Sequence, residues 1–337
     1  MKINDFPDYV ELFFSKYVFL QRGLSPNTVS SYSDAFLMFF RYCDEIKKLK
    51  PHRITFEVIS KQLVVDFCNW LESEIGNTPA TRNQRLTAIH ALSRYIQVES
   101  PKHMAICRDI LSIRMKKTQQ APPIYLSVEA IKKLLSLPDA KTKEGLRDLA
   151  VLALLYDSAA RVQELIDLCI GDITFNSQSV VRVVGKGNKV RLIPILPETA
   201  KILKLYIKSR HLEEPGQTLF ANRSGLKLSR VGVGYILDKY VSKVKDQFPK
   251  LITNLVTPHV LRHSKATHLL TAGVNLIYIR DLLGHSSVTT TEIYATSNPD
   301  FLRKAIEKAS VKTLAQDNFY DRKEQRDLMQ FLKAYRY

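Results

Sequence analysis

The stretch VVRVVGKGNKVRLIPI, Val180 to Ile195, decides how the rest of the chain is read. Two short runs rich in β-branched residues, Val180 to Val184 and Val190 to Ile195, flank Gly185-Lys186-Gly187-Asn188. Glycine and asparagine tolerate the positive φ of a tight turn, so the pattern predicts a β-hairpin with a lysine at its tip. The hairpin belongs to a short β region between Ile173 and Ile195, while the segments on both sides carry helical periodicity. The expected fold class is mainly α with a small antiparallel β-sheet.

Working back from the hairpin, helical patterns are expected at about 127 to 137 and about 144 to 157. Before them, Gln119 to Pro123 turns polar and proline-bearing after Met115-Lys116-Lys117, which reads as a linker. Upstream of that linker the sequence reads as a bundle of four helices. Their starts are marked by Asp5 to Pro7, by Ser25-Pro26 and, for the last, by Thr78-Pro79. In the second helix Val29, Tyr32, Phe36, Phe40 and Cys43 recur at three- or four-residue spacing and form a buried face. The fourth sets Arg82, Arg85 and Arg94 beside Ile89, Leu92 and Ile96, so one face can be buried while the other meets phosphates. A merely solvated surface is the competing reading.

Working forward, helices resume to the end, with boundary signals at Thr257-Pro258, Gly273, Asn275, Gly284 and Asn298-Pro299. Leu328, Met329, Phe331, Leu332 and Tyr335 lie on one face of a final amphipathic helix that could dock on its own domain or a neighbour's. These signals divide the 337 residues into a helical domain at 1–118, a linker at 119–124, a second domain at 125–310 and a tail at 311–337.

Charge narrows the class of partner. Lys and Arg number 50 against 33 Asp and Glu, a net +17 that favours a polyanion such as nucleic acid. Residues 1–118 hold 17 basic and 12 acidic side chains, a net +5, so +12 remains for the rest and either part could hold DNA. Cys43, Cys68, Cys107 and Cys169 are too far apart for a CxxC pair and read as reduced core residues of a cytoplasmic protein. A signal peptide is unexpected, since the first residues show no cationic segment followed by an apolar stretch and a small-residue cleavage site, and a membrane span is unexpected, since no apolar run of about 20 residues occurs.

Candidate chemistry gathers at three places. Thr257 can cap a helix whose first turn holds His259, with Arg262 three residues on and on the same face, so the two can address one anion together. Leu282-Leu283-Gly284-His285 ends a later helix and sends His285 out of the turn, with Tyr294 nine residues further on. Ala160-Arg161-Val162-Gln163-Glu164-Leu165 follows Ser158 and Ala159, small residues that let a backbone approach a ligand closely.

At these points the sequence resembles the tyrosine recombinase family, which includes phage integrases, Xer recombinases and related transposases. The matching residues are Arg161 in Ala-Arg-x-x-Glu-Leu, Lys186 in Gly-Lys-Gly, His259-x-x-Arg262, His285 in Leu-Gly-His, and Tyr294. Leu24-Ser25-Pro26-Asn27-Thr28 likewise looks like the opening of the family's helical core-binding domain. The resemblance implies a two-domain DNA clamp whose second domain is catalytic. It also implies strand cleavage by Tyr294 through a 3′-phosphotyrosine link, with neither metal nor ATP and no cofactor. Arg161 and Arg262 would stabilise the doubly negative transition state, His285 would hydrogen-bond a non-bridging oxygen, His259 would accept the tyrosine proton and Lys186 would protonate the leaving 5′ oxygen. Expected partners are double-stranded DNA with paired recombination half-sites and further copies of the chain, a tetramer on DNA, with no membrane. Arg82, Arg85, Lys189 and Arg191 are expected DNA contacts.

Plainer readings stand beside these. Arg161 could simply pair with Glu164, Lys189 or Arg191 could take the role of Lys186, and His263 could support its neighbours. Zinc on His259, His263 and His285 is conceivable, yet no cysteine or carboxylate in this helix completes a recognised spacing, so no metal is expected. Lys265 stands where relatives carry an apolar or aromatic residue, a departure that touches packing. The absence of an obvious arm-binding domain favours an Xer-like or transposase layout, and the reading leans to a mobile-element enzyme over chromosome-dimer resolution. A type IB topoisomerase and a cleavage-inactive DNA-binding protein are the alternatives.

Overall fold

The computed structural model describes residues 5–118, 123–285, 287, 291, 330 and 333, without the side chains of residues 19–21 and 186. The chain divides into two compact units at Gln120/Ala121.

In the first unit the starts of the long helices follow local capping. Asp5 accepts from the Phe6 N–H at 2.8 Å and opens α1, Phe6–Leu12, which runs into a π-helical segment, Phe13–Gln21. Ser25 and Thr78 cap α2, Pro26–Glu45, and α4, Pro79–Glu99, each with proline in the first turn, and Ser60 caps α3, Lys61–Ser73. Phe36 and Cys43 are buried on α2 as the spacing requires, and Val29, Tyr32 and Phe40 pack on the same core partly exposed. Aromatic rings knit α2 to α3, with Phe39 edge-on to Phe67 at 5.2 Å and Tyr42 tilted on Trp70 at 5.3 Å.

The bundle differs from the expected four helices. A fifth, α5 at Met104–Leu111, follows α4 after a break at Ser100-Pro101. Its Cys107 and Ile110 are buried in the same core, so tertiary burial restarts the helix that proline interrupts. Burial drives the thiol of Cys43 up to about 12 and those of Cys68 and Cys107 up to about 11, which makes them inert packing groups. Cys169, in the second unit, differs from the expectation by being partly exposed.

The second unit opens with α6, Val128–Ser136, and α7, Lys143–Ser158, close to the expected bounds. Helix α7 is the spine of the unit, buried from Ala150 through Leu155. It stops at Ala159, whose φ of 48° is left-handed, and Arg161 then begins the short α8, Val162–Ile166. The sheet is antiparallel in the order β1 (Ile173–Thr174), β2 (Val180–Val184), β3 (Val190–Pro194). Its hairpin turns with positive φ at Gly187 and Asn188, as expected of those residue types, whereas Gly185 stays extended at φ -96°. Register pairs Val181 with Ile193 and Val183 with Arg191 on the buried face.

Four helices complete the described part: α9, Pro197–Ser209; α10, Arg230–Gln247; α11, Pro258–Thr271; and α12, Leu276–Leu283. Asn275 caps α12 by accepting from the Ile277 N–H, and Gly284 closes it in the left-handed conformation. Thr257 occupies the cap position of α11, but its side chain makes no capping hydrogen bond. Ala159, Ala266, Leu270, Ile279 and Leu283 form a small second core where α7, α11 and α12 meet. Asn298-Pro299, most of the amphipathic tail and Tyr294 lie outside the described residues. Among the described residues no helix is long and apolar enough to cross a membrane.

Candidate active site

Arg262 organises the site from within. It is only 3% exposed, and its guanidinium donates to the Ala159 carbonyl at 2.7 Å and the Leu283 carbonyl at 2.5 Å. The first carbonyl ends α7 two residues before Arg161; the second ends α12 two residues before His285. One planar fork thus holds the loop carrying Arg161 against the turn carrying His285, a task suited to the fixed donor geometry of arginine. His259 lies three residues earlier on α11, exposed at its first turn.

The electrostatics report how tightly these groups converge. Burial, then the charges of Arg262, Arg161, His263 and Arg191, push the His285 pKa down to about 4. Partial desolvation, then the charges of Arg262 and Arg161, lowers that of His259. His263, with its ring 6.4 Å from that of His259, is lowered by burial, then by His259 and Arg262. These histidines are neutral at pH 7, and the arginines supply a positive field built before any anion arrives. His285 Nδ1 shares a 3.0 Å hydrogen bond with Thr291 Oγ1. Among the described residues no group of three His, Cys, Asp or Glu is placed to hold a metal ion.

Glu164 lies beneath the arginines, only 6% exposed. Its Oε1 accepts from Arg161 Nη1 at 2.8 Å and Arg191 Nη1 at 3.2 Å; its Oε2 accepts from the Arg161 backbone N–H at 2.8 Å and Arg191 Nη2 at 2.6 Å. Burial pushes this carboxyl upward, but the two arginines outweigh it and hold the pKa below the usual value. The plain pairing of Arg161 with Glu164 is therefore present, and Arg161 still exposes about a third of its side chain to solvent.

Arg161, His259, Arg262 and His285 come together. Lys186 sits in the hairpin turn by its backbone, its side chain undescribed, and Tyr294 is outside the described residues. Lys189 is exposed beside Lys186. Two expected DNA contacts stand elsewhere than an open phosphate-facing surface. Arg191 points inward, with 13% of its side chain exposed, because its register partner Val183 faces the core. Arg82, 4% exposed, is turned into the helical unit, where it donates to Asn83 Oδ1 and the Arg114 carbonyl. Arg85 is half-buried and donates to the Ser31 carbonyl at 3.3 Å. The inward turn of Arg191 was available from register, since it alternates in phase with Ile193; Glu164 as a shared carboxylate carried no local signal beyond its place three residues after Arg161.

With this geometry in hand, likeness to known proteins decides the family. Residues 125–300 match the phage integrase family, and residues 11–99 match the phage integrase N-terminal SAM-like domain. The chain belongs to the phage integrase family. The integrase/recombinase y4rC of Sinorhizobium fredii is 35% identical over 301 residues, 89% of this chain and 90% of that protein. The tyrosine recombinase XerC of Myxococcus xanthus is 33% identical over 296 residues, 86% of this chain and 93% of its own. The fold is shared with the Tn1549 transposon integrase in complex with transposon right end DNA, 20% identical over 90% of this chain and 99% of that one, TM-score 0.69. It is shared also with XerH bound to its difH substrate before cleavage, 22% identical over 84% and 80%, TM-score 0.64. This phage integrase family member is thus a tyrosine-type site-specific DNA recombinase.

Proposed function

We propose that Arg161, Lys186, His259, Arg262, His285 and Tyr294 carry strand exchange in this recombinase, and that it serves a mobile element, in integration and excision or in transposition. The observation that carries the assignment is the double carbonyl grip of Arg262, which brings the Arg161 loop and the His285 turn to one place. A phosphodiester under attack becomes doubly negative, and preset guanidinium forks stabilise that charge without reorganisation and without a metal.

In this reading the Tyr294 hydroxyl attacks the scissile phosphorus and gives its proton to His259, which burial and the arginines keep neutral and able to accept it. The bond to the 5′ oxygen breaks as Lys186 protonates that oxygen, leaving a 3′-phosphotyrosine and a free 5′ hydroxyl. Attack by the 5′ hydroxyl of another strand reverses the steps on a new partner. The phosphodiester bond energy is kept in the covalent link, so no ATP is consumed.

The protein works in the cytoplasm as a two-domain clamp on DNA, with domains at 1–118 and 125–310 joined by the linker at 119–124. Four copies assemble on paired half-sites, the tail at 311–337 supplying a contact between them. Arg85 and Lys189 meet DNA phosphates. Chromosome-dimer resolution is the second reading, favoured by the likeness to relatives named XerC.

The test is a nicked duplex carrying a candidate site, incubated with wild type and with Tyr294→Phe without divalent ions and resolved on a denaturing gel. A covalent adduct in the wild type alone, mapped by mass spectrometry to Tyr294, is the expected result. Tight DNA binding with no adduct would return the chain to a cleavage-inactive binder.

A further inference from the structure

We infer that Arg191 is a positioning residue for the phosphate cradle, a clip that fixes the Arg161 side and the His285 side of the site to one strand of the hairpin. The inference rests on the reading of the cradle given above and adds a residue to it.

The first support is direction. Arg191 lies opposite Val183 in the β2–β3 register, and Val183 is fully buried, so the arginine leaves the sheet on its core face. The second is what the guanidinium meets there. Nη2 and Nη1 engage Glu164 Oε2 and Oε1, and Nε donates to the Leu282 carbonyl at 2.9 Å. The same carboxylate holds Arg161 by its backbone N–H and its Nη1, so the angle at which Arg161 offers its remaining donors depends on where Arg191 holds Glu164.

The third support is independent of hydrogen bonding. A Cβ placed on Gly284 would come within 2.9 Å of Arg191 Nη1 and 3.1 Å of its Cζ. The guanidinium therefore lies against the backbone of the residue just before His285, at a left-handed φ of 62° that already favours glycine. Strand β3, the Arg161 loop and the His285 turn thus meet on one side chain. A second guanidinium on Glu164 would be superfluous if the only need were to neutralise the buried carboxylate. Two of them, one inward and one partly open, make the carboxylate a fixed joint between fold and substrate site.

Arg191→Lys keeps the charge and most of the stem, but one ammonium cannot meet both carboxylate oxygens and the Leu282 carbonyl in the geometry of a fork. The measurement is the rate of covalent adduct formation on the nicked duplex, with a normal scissile phosphate and with a neutral methylphosphonate, in which a methyl group replaces the charged non-bridging oxygen. Thermal melting and DNA affinity are read alongside. For Arg191→Lys we expect affinity within about threefold of wild type and cleavage of the phosphodiester slowed by about 100-fold, the loss typical of a displacement near 1 Å.

On the methylphosphonate the deficit should shrink to below about tenfold, because less charge then depends on the aim of Arg161. A purely structural role lowers the active fraction and depresses both substrates equally; that outcome, or cleavage equal to wild type within about twofold, overturns the inference. If Arg191→Lys melts far below wild type, Glu164→Gln opens the clip from the other side and is read on the same two substrates, where an equal loss on both likewise overturns it. Failure of the wild type to form any adduct refutes the underlying assignment of the cradle instead.

Discussion

Among single residues, His285 shows how the site is tuned. Its pKa falls from 6.5 to about 4 because burial and four neighbouring cationic or titratable groups oppose its charge. Between those values the unfolded chain takes up a proton that the folded chain refuses. Stability is therefore full above about pH 6.5 and declines as the pH falls towards 4. His259, His263 and His268 are lowered too and add to the decline in the same direction. Urea midpoints measured from pH 7.5 down to 4.5 should fall steadily, and His285→Gln should flatten the slope; an unchanged slope would place the linkage elsewhere.

Between elements, buried polar joints do what local sequence cannot announce. Asp157, 4% exposed near the end of α7, accepts from the Leu196 N–H at 2.7 Å, just before α9, and from Lys265 Nζ of α11 at 2.9 Å. Asp157→Ala leaves a largely buried ammonium and a backbone donor without their acceptor, which should destabilise the protein by about 3 kcal/mol in urea titration. A loss below about 1 kcal/mol would mean that the joint is solvated in solution. This pairing also accounts for the charged residue at 265. Helix starts and the hairpin turn were legible because Ser25, Thr78, Asn275, Gly187 and Asn188 act within a few residues of themselves. Convergence of the cradle was legible only through family resemblance. Helix α5 was not legible, since Pro101 reads as a terminator and only burial of Cys107 and Ile110 restarts the chain. Nor was Asp148, whose partners Lys239 and Tyr240 lie about ninety positions away.

At the scale of the molecule, two separate cores and a net charge of +17 define a protein built to meet a polyanion. DNA affinity should fall steeply with salt, by about 10³-fold or more between 50 and 200 mM if six or more phosphates are neutralised. Fluorescence anisotropy with a labelled duplex measures the slope, and a flat response would exclude an electrostatic clamp. What the reaction demands of the whole is that its charged groups keep their aim while DNA is bound and exchanged. The grip of Arg262 on the carbonyls of Ala159 and Leu283 meets that demand through the main chain. Every amino acid presents the same carbonyl, so the letters at those two positions are free of any part in aiming the guanidinium. Lineages descending from this protein can drift at both within the limits of packing and, at residue 159, of its left-handed backbone, and can rewrite the surface that selects a target site while the cradle stays aligned.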